Sequence, residues 1–364
     1  MRHLLLLLCA LSLLGCRLNR VLPDDEVFNT YAFWVGTYTG DTGSEGIYRY
    51  QIRNDGRLSA IGLAAPSANP SFLAYGPRKR HLVAVNEEET GRVSAFRIEG
   101  NTLLLQSQSS SGGAHPCHVT VDSARNVLVS NYTGGNVGYL RMDKQGKLSP
   151  LLDTRETATE RPSHAHATYT DRRSGRQLTV DLGTDALWAS HADAKASKLR
   201  PAKIPTTALV PGAGPRHAAF HPNRKWLYVI NEYANSVTRL RRKPGGGWKL
   251  GPSVSTLPPG FAGESFCADI HISADGRFLY GSNRGHNSIA VFEIDPDSGD
   301  LRLLELEPTR GDWPRNFAIS PDGQFLLVAN QRGNNIVAFY RDRETGRLEY
   351  LSKTRAPAPV CLLF

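Results

Sequence analysis

Followed as apolar and polar positions, the chain is a succession of short runs, and apart from an apolar stretch at its start no segment longer than a turn keeps a helical period. Six of the runs are β-branched or aromatic and end in Asn or Asp. They read LVAVN, VLVSN, LTVD, LYVIN, LYGSN and LLVAN, closing at Asn86, Asn131, Asp181, Asn231, Asn283 and Asn330, with separations of 45 to 52 residues. A turn carrying Gly or a second Asn/Asp usually follows, as in NYTGGNV, DLGTDAL and NRGHNSI, and leads into another strand. A further strand and turn precede each run, clearest in NFAISPDGQFLLVAN, and a last strand with a DxxxGxL-like turn follows, as in DRETGRLEYL. Four short strands repeated at this period predict a β-propeller.

Residues 31 to 364 number 334, which at about 48 per repeat makes seven blades. Only six repeats are visible, so the seventh is assembled from both ends of the chain. YAFWVGTY at 31–38 and EGIYRYQI at 45–52 read as strands, and PVCLLF at 359–364 is an apolar strand with nothing after it. Pairing the last beside the first closes the ring and leaves no open sheet edge. The expectation is one all-β domain over residues 31–364, a seven-bladed propeller of four-stranded blades, with no linker.

The start of the chain belongs to a different class. MRHLLLLLCALSLLGCRLNR has a basic beginning, an apolar stretch from Leu4 to Leu14 and then Leu-Leu-Gly-Cys ending at Cys16. That stretch is too short to span a bilayer as a permanent helix, and the pattern reads as a lipoprotein signal over residues 1–16, with Cys16 acylated. Arg17 in the next position favours the outer membrane, facing the periplasm of a Gram-negative cell. The mature protein is then held to the membrane only through its lipid.

Cys117, Cys267 and Cys361 remain after the signal, an odd number at wide spacing, which excludes a disulfide framework and contains no metal-ligand spacing. No metal or other cofactor is expected. The formal charge is +9, part of it in RLRRK at 239–243 and PRKRH at 77–81. No aromatic or Gly pattern accompanies these bases, so they read as solvated faces rather than a nucleic-acid site, and the basic average suits an anionic ligand.

In a propeller the innermost strand of each blade lines the central channel. Aligning Gly76, Asp122, Asp171, His221, Ser273 and Ser320 puts Ser71, Cys117, His166, Arg216, Ala268 and Arg315 at one ring position. A ring built only for packing would repeat one residue type; this one carries a His and two Arg. The residue after the recurrent Asn/Asp is equally uneven: Glu87, Tyr132, Leu182, Glu232, Arg284 and Gln331. Variation where the scaffold is constant marks grafted function. The candidates are His164 and His166 in SHAHA, Arg216 and His217 in GPRHAAFHP, Glu232 in NEYANS and Arg284 in SNRGHNS, with His115 and His118 of GAHPCH near the same face. Arginine forks suit carboxylate and phosphate, and His or Glu can move a proton. The competing reading makes Arg216 and Glu232 a structural ion pair.

FWVGTYTG, NPSFLAY, HPCHVTVD, SHAHA, DLGTDAL, GPRHAAFHP, NEYANSV, SNRGHNSIAVF, WPRNFAISPDGQFLLVANQ and PVCLLF together resemble, in order and over residues 31–364, the seven-bladed propeller lactonase family. The family includes 6-phosphogluconolactonases and the carboxy-cis,cis-muconate cyclase. The resemblance implies a lactone hydrolase with active-site residues His164 (or His166), Arg216, Glu232 and Arg284, and a small anionic lactone or sugar acid as substrate. His118, His166, His217 and Arg315 are expected to contact it. Ser163 stands where the family motif has Pro, which leaves the choice between the two histidines open, and the export signal points away from a cytoplasmic sugar phosphate. The cyclase reaction and a non-catalytic envelope scaffold are the rival functions.

Overall fold

The structure, a computed structural model, describes residues 30–156 and 160–364. The lipoprotein signal and Cys16 lie outside the described residues. Seven antiparallel sheets of four strands each form the blades. Blade one contains Thr30–Thr37, Gly46–Arg53 and Leu58–Pro66, with Pro359–Leu363 as its innermost strand. The other six follow in chain order, each beginning at its innermost strand. Closure by the C-terminal strand is as expected: Trp34 pairs with Leu363 and Gly36 with Cys361.

The recurrent runs are the second strands of the blades, and their burial explains why they dominate the sequence. Successive side chains of a strand point to opposite faces, and here both faces are covered by neighbouring blades. In blade two, Leu82 and Ala84 join Trp34 and Ile47 of blade one, whereas Val83 and Val85 join Val127 and Val129 of blade three. Seven such clusters, one at each junction of adjacent blades, make up the core. Outermost strands face solvent and are correspondingly polar, as in Thr102–Ser110, TLLLQSQSS.

The Asn/Asp that ends each run does more than form a turn. Asn330 is fully buried; its amide donates to Thr309 O (3.2 Å) and to Asn335 Oδ1 (2.9 Å), tying the second strand to the segment arriving from the previous blade. Asn131 and Asn283 make the same links, to Ser111 O and Thr256 O. Gly311 packs directly on Asn330, so that a Cβ at this position would come within 2.4 Å of the amide nitrogen.

Innermost strands run from an upper mouth, where several begin with proline, to a lower face carrying turns such as residues 122–125, 171–175 and 221–224. The inner ladder is broken near its start in five blades: the register skips at Cys117, His166, Arg216 and Arg315, and across Ala268 and Asp269. A bulge bends the strand and re-aims the extra residue. The ring position read from the repeat is this bulge, and Val360 occupies it in blade one.

Candidate active site

Arg216 and Arg284 converge on one carboxylate oxygen. Arg216 Nε lies 3.0 Å and Arg284 Nη2 2.9 Å from Glu232 Oε2, and both guanidiniums are almost wholly buried. Oε1 makes no hydrogen bond among the described residues. The Arg216 Nε–H is not aimed at Oε2, so this contact is an ion pair without a hydrogen bond. Burial raises the Glu232 pKa, but Arg284, Arg216 and Arg315 together outweigh it and hold the carboxyl below its ordinary value. Arg284 is brought down to about 10 by burial and by the charge of Arg216, against the pull of Glu232. At neutral pH the group is therefore two cations around one anion.

Each member is fixed by the blade edges. Arg216, on its bulge, donates from Nη1 to Ala268 O of the next blade at 2.7 Å. Arg284, the last residue of its strand, donates to Cys267 O at 3.0 Å and lies over the Trp313 ring. Glu232 follows the buried Asn231, and its backbone N–H donates to Gly214 O. These charges sit where neighbouring innermost strands meet, and so depend on the ring being closed.

Arg315 is different. It is half-buried, faces the ring of Tyr38 at 5.4 Å, and makes no hydrogen bond or ion pair among the described residues. The Tyr38 hydroxyl donates to Glu87 Oε2 at 2.9 Å. Burial works against the charge on Arg315, but Tyr38, Glu87 and Glu232 outweigh it and keep the guanidinium protonated. Glu87 is one of the uneven positions of the repeat, whereas Tyr38 is not among the residues the repeat picks out. Tyr38 occupies, in blade one, the position after the recurrent Asn/Asp, but that blade is split between the two ends of the chain and has Thr37 where the others have Asn or Asp, so the repeat does not reveal it.

The two histidines of SHAHA part company. His166, on its bulge, is 4% exposed and its ring centroid lies 5.2 Å from that of His217. Burial first, then Arg216, His217, Arg315 and Arg284, hold its pKa well below the ordinary value, so it is neutral and in the field of all three arginines. His164 lies further out, stacked on Tyr132 at 4.7 Å, with Nδ1 3.0 Å from Tyr132 O.

A second tier lies one residue further along the innermost strands. His217 Nδ1 is 2.8 Å from Asp269 Oδ1, and its Nε2 is 3.3 Å from Arg216 Nη1. Asp269 also accepts from Asn316 Nδ2 and from the backbone N–H of Ile270. Burial and Arg216 bring His217 down to about 4 despite the Asp269 carboxylate. The ring is thus neutral at pH 7: Nδ1–H donates to Asp269, and Nε2 accepts from the arginine. His118, buried against Phe72 and Tyr169, is held well below its ordinary value by burial and by His217. Phe72, His118, His217, Asp269 and Asn316 form a floor to the channel beneath the arginines. His118 and His217 thus lie one tier below the arginines, whereas Arg315 stands beside Tyr38. His115 lies outside it, bonded to Thr133. Among the described residues no group of three or more His, Cys, Asp or Glu is placed to hold a metal ion.

Comparison with known proteins matches residues 32–364 to the family model "Lactonase, 7-bladed beta-propeller". The chain is 37% identical over 304 residues to a 6-phosphogluconolactonase of Bacillus subtilis, covering 79% of this chain and 84% of that one. A 6-phosphogluconolactonase of Formosa agariphila is 35% identical, with 79% and 85% covered. Among solved structures, the periplasmic gluconolactonase of Pseudomonas aeruginosa superposes with a TM-score of 0.87 at 30% identity, over 92% of this chain and 98% of that one. A family match over almost every residue of the propeller, and relatives at this identity over most of their length, place the chain in the seven-bladed β-propeller lactonase family.

Proposed function

We propose that this lactone hydrolase acts at the upper mouth on a lactone that carries an anionic group, outside the cytoplasm, and is tethered there by an acylated Cys16. The observation that carries the reading is the contrast among the arginines: two are committed to Glu232, and Arg315 beside them has no anion of its own. A half-buried guanidinium that makes no ion pair has its N–H groups open to an anionic ligand.

In this reading Arg315 binds the anionic group of the substrate, and the N–H groups of Arg216 and Arg284 not turned to Glu232 receive the carbonyl oxygen as it becomes an oxyanion. Water adds to the carbonyl carbon, its proton passes to neutral His166, the ring C–O bond breaks, and the proton is returned to the departing oxygen. Glu232, held below its ordinary pKa, is a poor base, and its role is to fix the two guanidiniums. An anion bound at Arg315 also favours the imidazolium of His166 as the proton arrives. Export is supported by the Leu-Leu-Gly-Cys pattern at Cys16, and a structural relative is named a periplasmic enzyme.

The test is hydrolysis of paired lactones with and without a phosphate or carboxylate, by the parent and by Arg315→Ala. The expected loss in kcat/KM for the anionic member is about 30-fold, equivalent to about 2 kcal/mol, with the neutral member much less affected. Because Arg315 makes no hydrogen bond or ion pair among the described residues and only faces the Tyr38 ring, the melting temperature should change little. Failure of the parent on every lactone tested, or equal loss on both members of a pair, would overturn the assignment.

A further inference from the structure

The basic clusters that read as scattered solvated faces in the sequence are gathered by the fold onto one side of the molecule. The lower face of blades two to five carries Arg78, Lys79 and Arg80, then Lys144, then Arg172 and Arg173, then Arg224 and Lys225, all exposed. Between blades four and five these residues border a cavity of about 580 Å³ lined by Arg173, Lys225, Arg241, Arg242, Lys243 and Lys249, with Pro244 the only uncharged member. Arg242 is committed: it holds the buried Asp171 through two hydrogen bonds, 2.8 and 3.0 Å, and lies over Trp248. The other five make no side-chain hydrogen bond or ion pair among the described residues. Carboxylates on this side of blades two to four are fewer, Glu99, Asp143 and Asp193 among them, and more stand on blades six and seven, where Asp300 pairs with Arg239 of blade five and Glu344 with Arg277. The upper mouth carries both signs, with Asp41, Glu45, Glu89, Glu264 and Asp312 exposed around it beside Arg92, Arg310 and Arg332.

The chain enters the propeller on the same lower face. The first strand runs antiparallel to Pro359–Leu363, which descends from the upper mouth, so Thr30 lies at the lower end. Tyr31 is close enough to Asp322 and Arg343, in lower-face turns, for both to act on its hydroxyl. Thirteen residues lie between Cys16 and Thr30, a tether of at most about 50 Å when extended.

From the cavity of unpartnered cations and the point of entry of the chain, we infer that the lower face of blades two to five docks on an anionic membrane surface, with lipid headgroup phosphates against the groove between blades four and five. The inference rests on the proposed envelope location, which supplies the membrane and the tether. The lipid sets only where the chain is attached, and a polybasic surface beside it supplies a second contact that orients the propeller. The cations act only within about a Debye length, 8 Å at physiological salt, so the face must lie against the bilayer. Docking in this orientation turns the candidate active site toward the aqueous phase.

The experiment uses the chain beginning at Arg17, which carries no acyl group and contains every strand of the seven sheets, in co-sedimentation with phosphatidylglycerol and phosphatidylcholine vesicles. Partitioning is expected into the former only, falling steeply as salt is raised. The triple variant Arg241→Glu, Lys243→Glu, Lys249→Glu should lower the partition coefficient at least tenfold at unchanged melting temperature and lactone hydrolysis. Arg92→Glu, on the upper side, should leave it unchanged. An unaltered triple variant, a parent that ignores phosphatidylglycerol, or saturable binding of inorganic phosphate without vesicle binding would each overturn the inference. None of these outcomes depends on acylation, which the mass of the exported full chain reports separately.

Discussion

At the scale of single residues, the site is built from side chains whose charge state is set by their neighbours. The sequence pointed to Arg216, Glu232 and Arg284 because they break a repeat, and the structure brings the three together. It did not separate His164 from His166, since two residues apart on a strand point to the same face until a bulge intervenes. Asp269 was also missed, because its neighbour Ala268 occupies the ring position and gives no polar signal. A substitution at Arg216 cannot separate binding from folding, since its Nη1 also holds Ala268 O and His217. A pH profile is more informative. His166 must be neutral to accept a proton, and burial and the arginines hold its pKa well below 6.5. The basic form is lost only as pH falls through that lowered value, so kcat/KM should remain flat from neutrality to below pH 6. A limb centred near 6.5 would assign the proton transfer to an unperturbed histidine. The same neutrality governs stability. His118, His166 and His217 have folded pKa values below their unfolded ones, so the unfolded chain binds more protons between the two values. Their contribution is present above about 6.5 and is lost as pH falls toward the folded values, near 4 for His217.

At the scale of elements, the repeat was legible because second strands are buried on both faces and therefore spell continuous apolar runs. The innermost strands were legible only by alignment, and the outermost hardly at all, because solvent-facing strands of Ser, Gln and Lys resemble loops. The recurrent Asn is conspicuous in the sequence but its role is not, since only the fold shows that its side chain joins one blade to the segment from the last. Asn330→Ala removes the amide that serves Thr309 O and Asn335 Oδ1 and leaves that carbonyl buried without a donor. A loss of about 2 kcal/mol follows, which for a domain of this size lowers Tm by about 3 °C. Asn330 does not touch the arginines, so specific activity below the transition should be that of the parent. A turn residue of purely conformational value would give Asn330→Asp or Asn330→Gly nearly the parent's stability, and thermal melts of the three variants distinguish the two accounts.

At the scale of the molecule, the site exists only because the ring is closed. Arg216 reaches into blade six, Arg284 lies over a ring from the segment entering blade seven, and Arg315 of blade seven faces Tyr38 of blade one. Closure is completed by six C-terminal residues. Val360, Cys361 and Leu362 are buried, the Leu362 N–H donates to Asn316 Oδ1 of the channel floor, and Lys79 reaches Phe364 O. Ending the chain at Ala358 strips the inner edge of the first strand and leaves unpaired backbone beside an apolar core, a template for association. Such a chain should be recovered as aggregate, with no cooperative melt. What matters is the strand and not the position of the termini. Thr30 is four residues beyond Trp34, which pairs with Leu363, and Phe364 continues one residue the same way, so about 10 Å separates the two ends along the strand direction. A linker of six or so residues from Phe364 to Thr30, with the chain reopened at the exposed turn between Ser174 and Gly175, keeps every sheet whole. This circular permutant should be soluble, melt within a few degrees of the parent and retain lactone hydrolysis. If the permutant aggregates as the truncation does, the order of synthesis rather than the closing strand governs folding; if the truncation melts cooperatively, the ring does not need its latch.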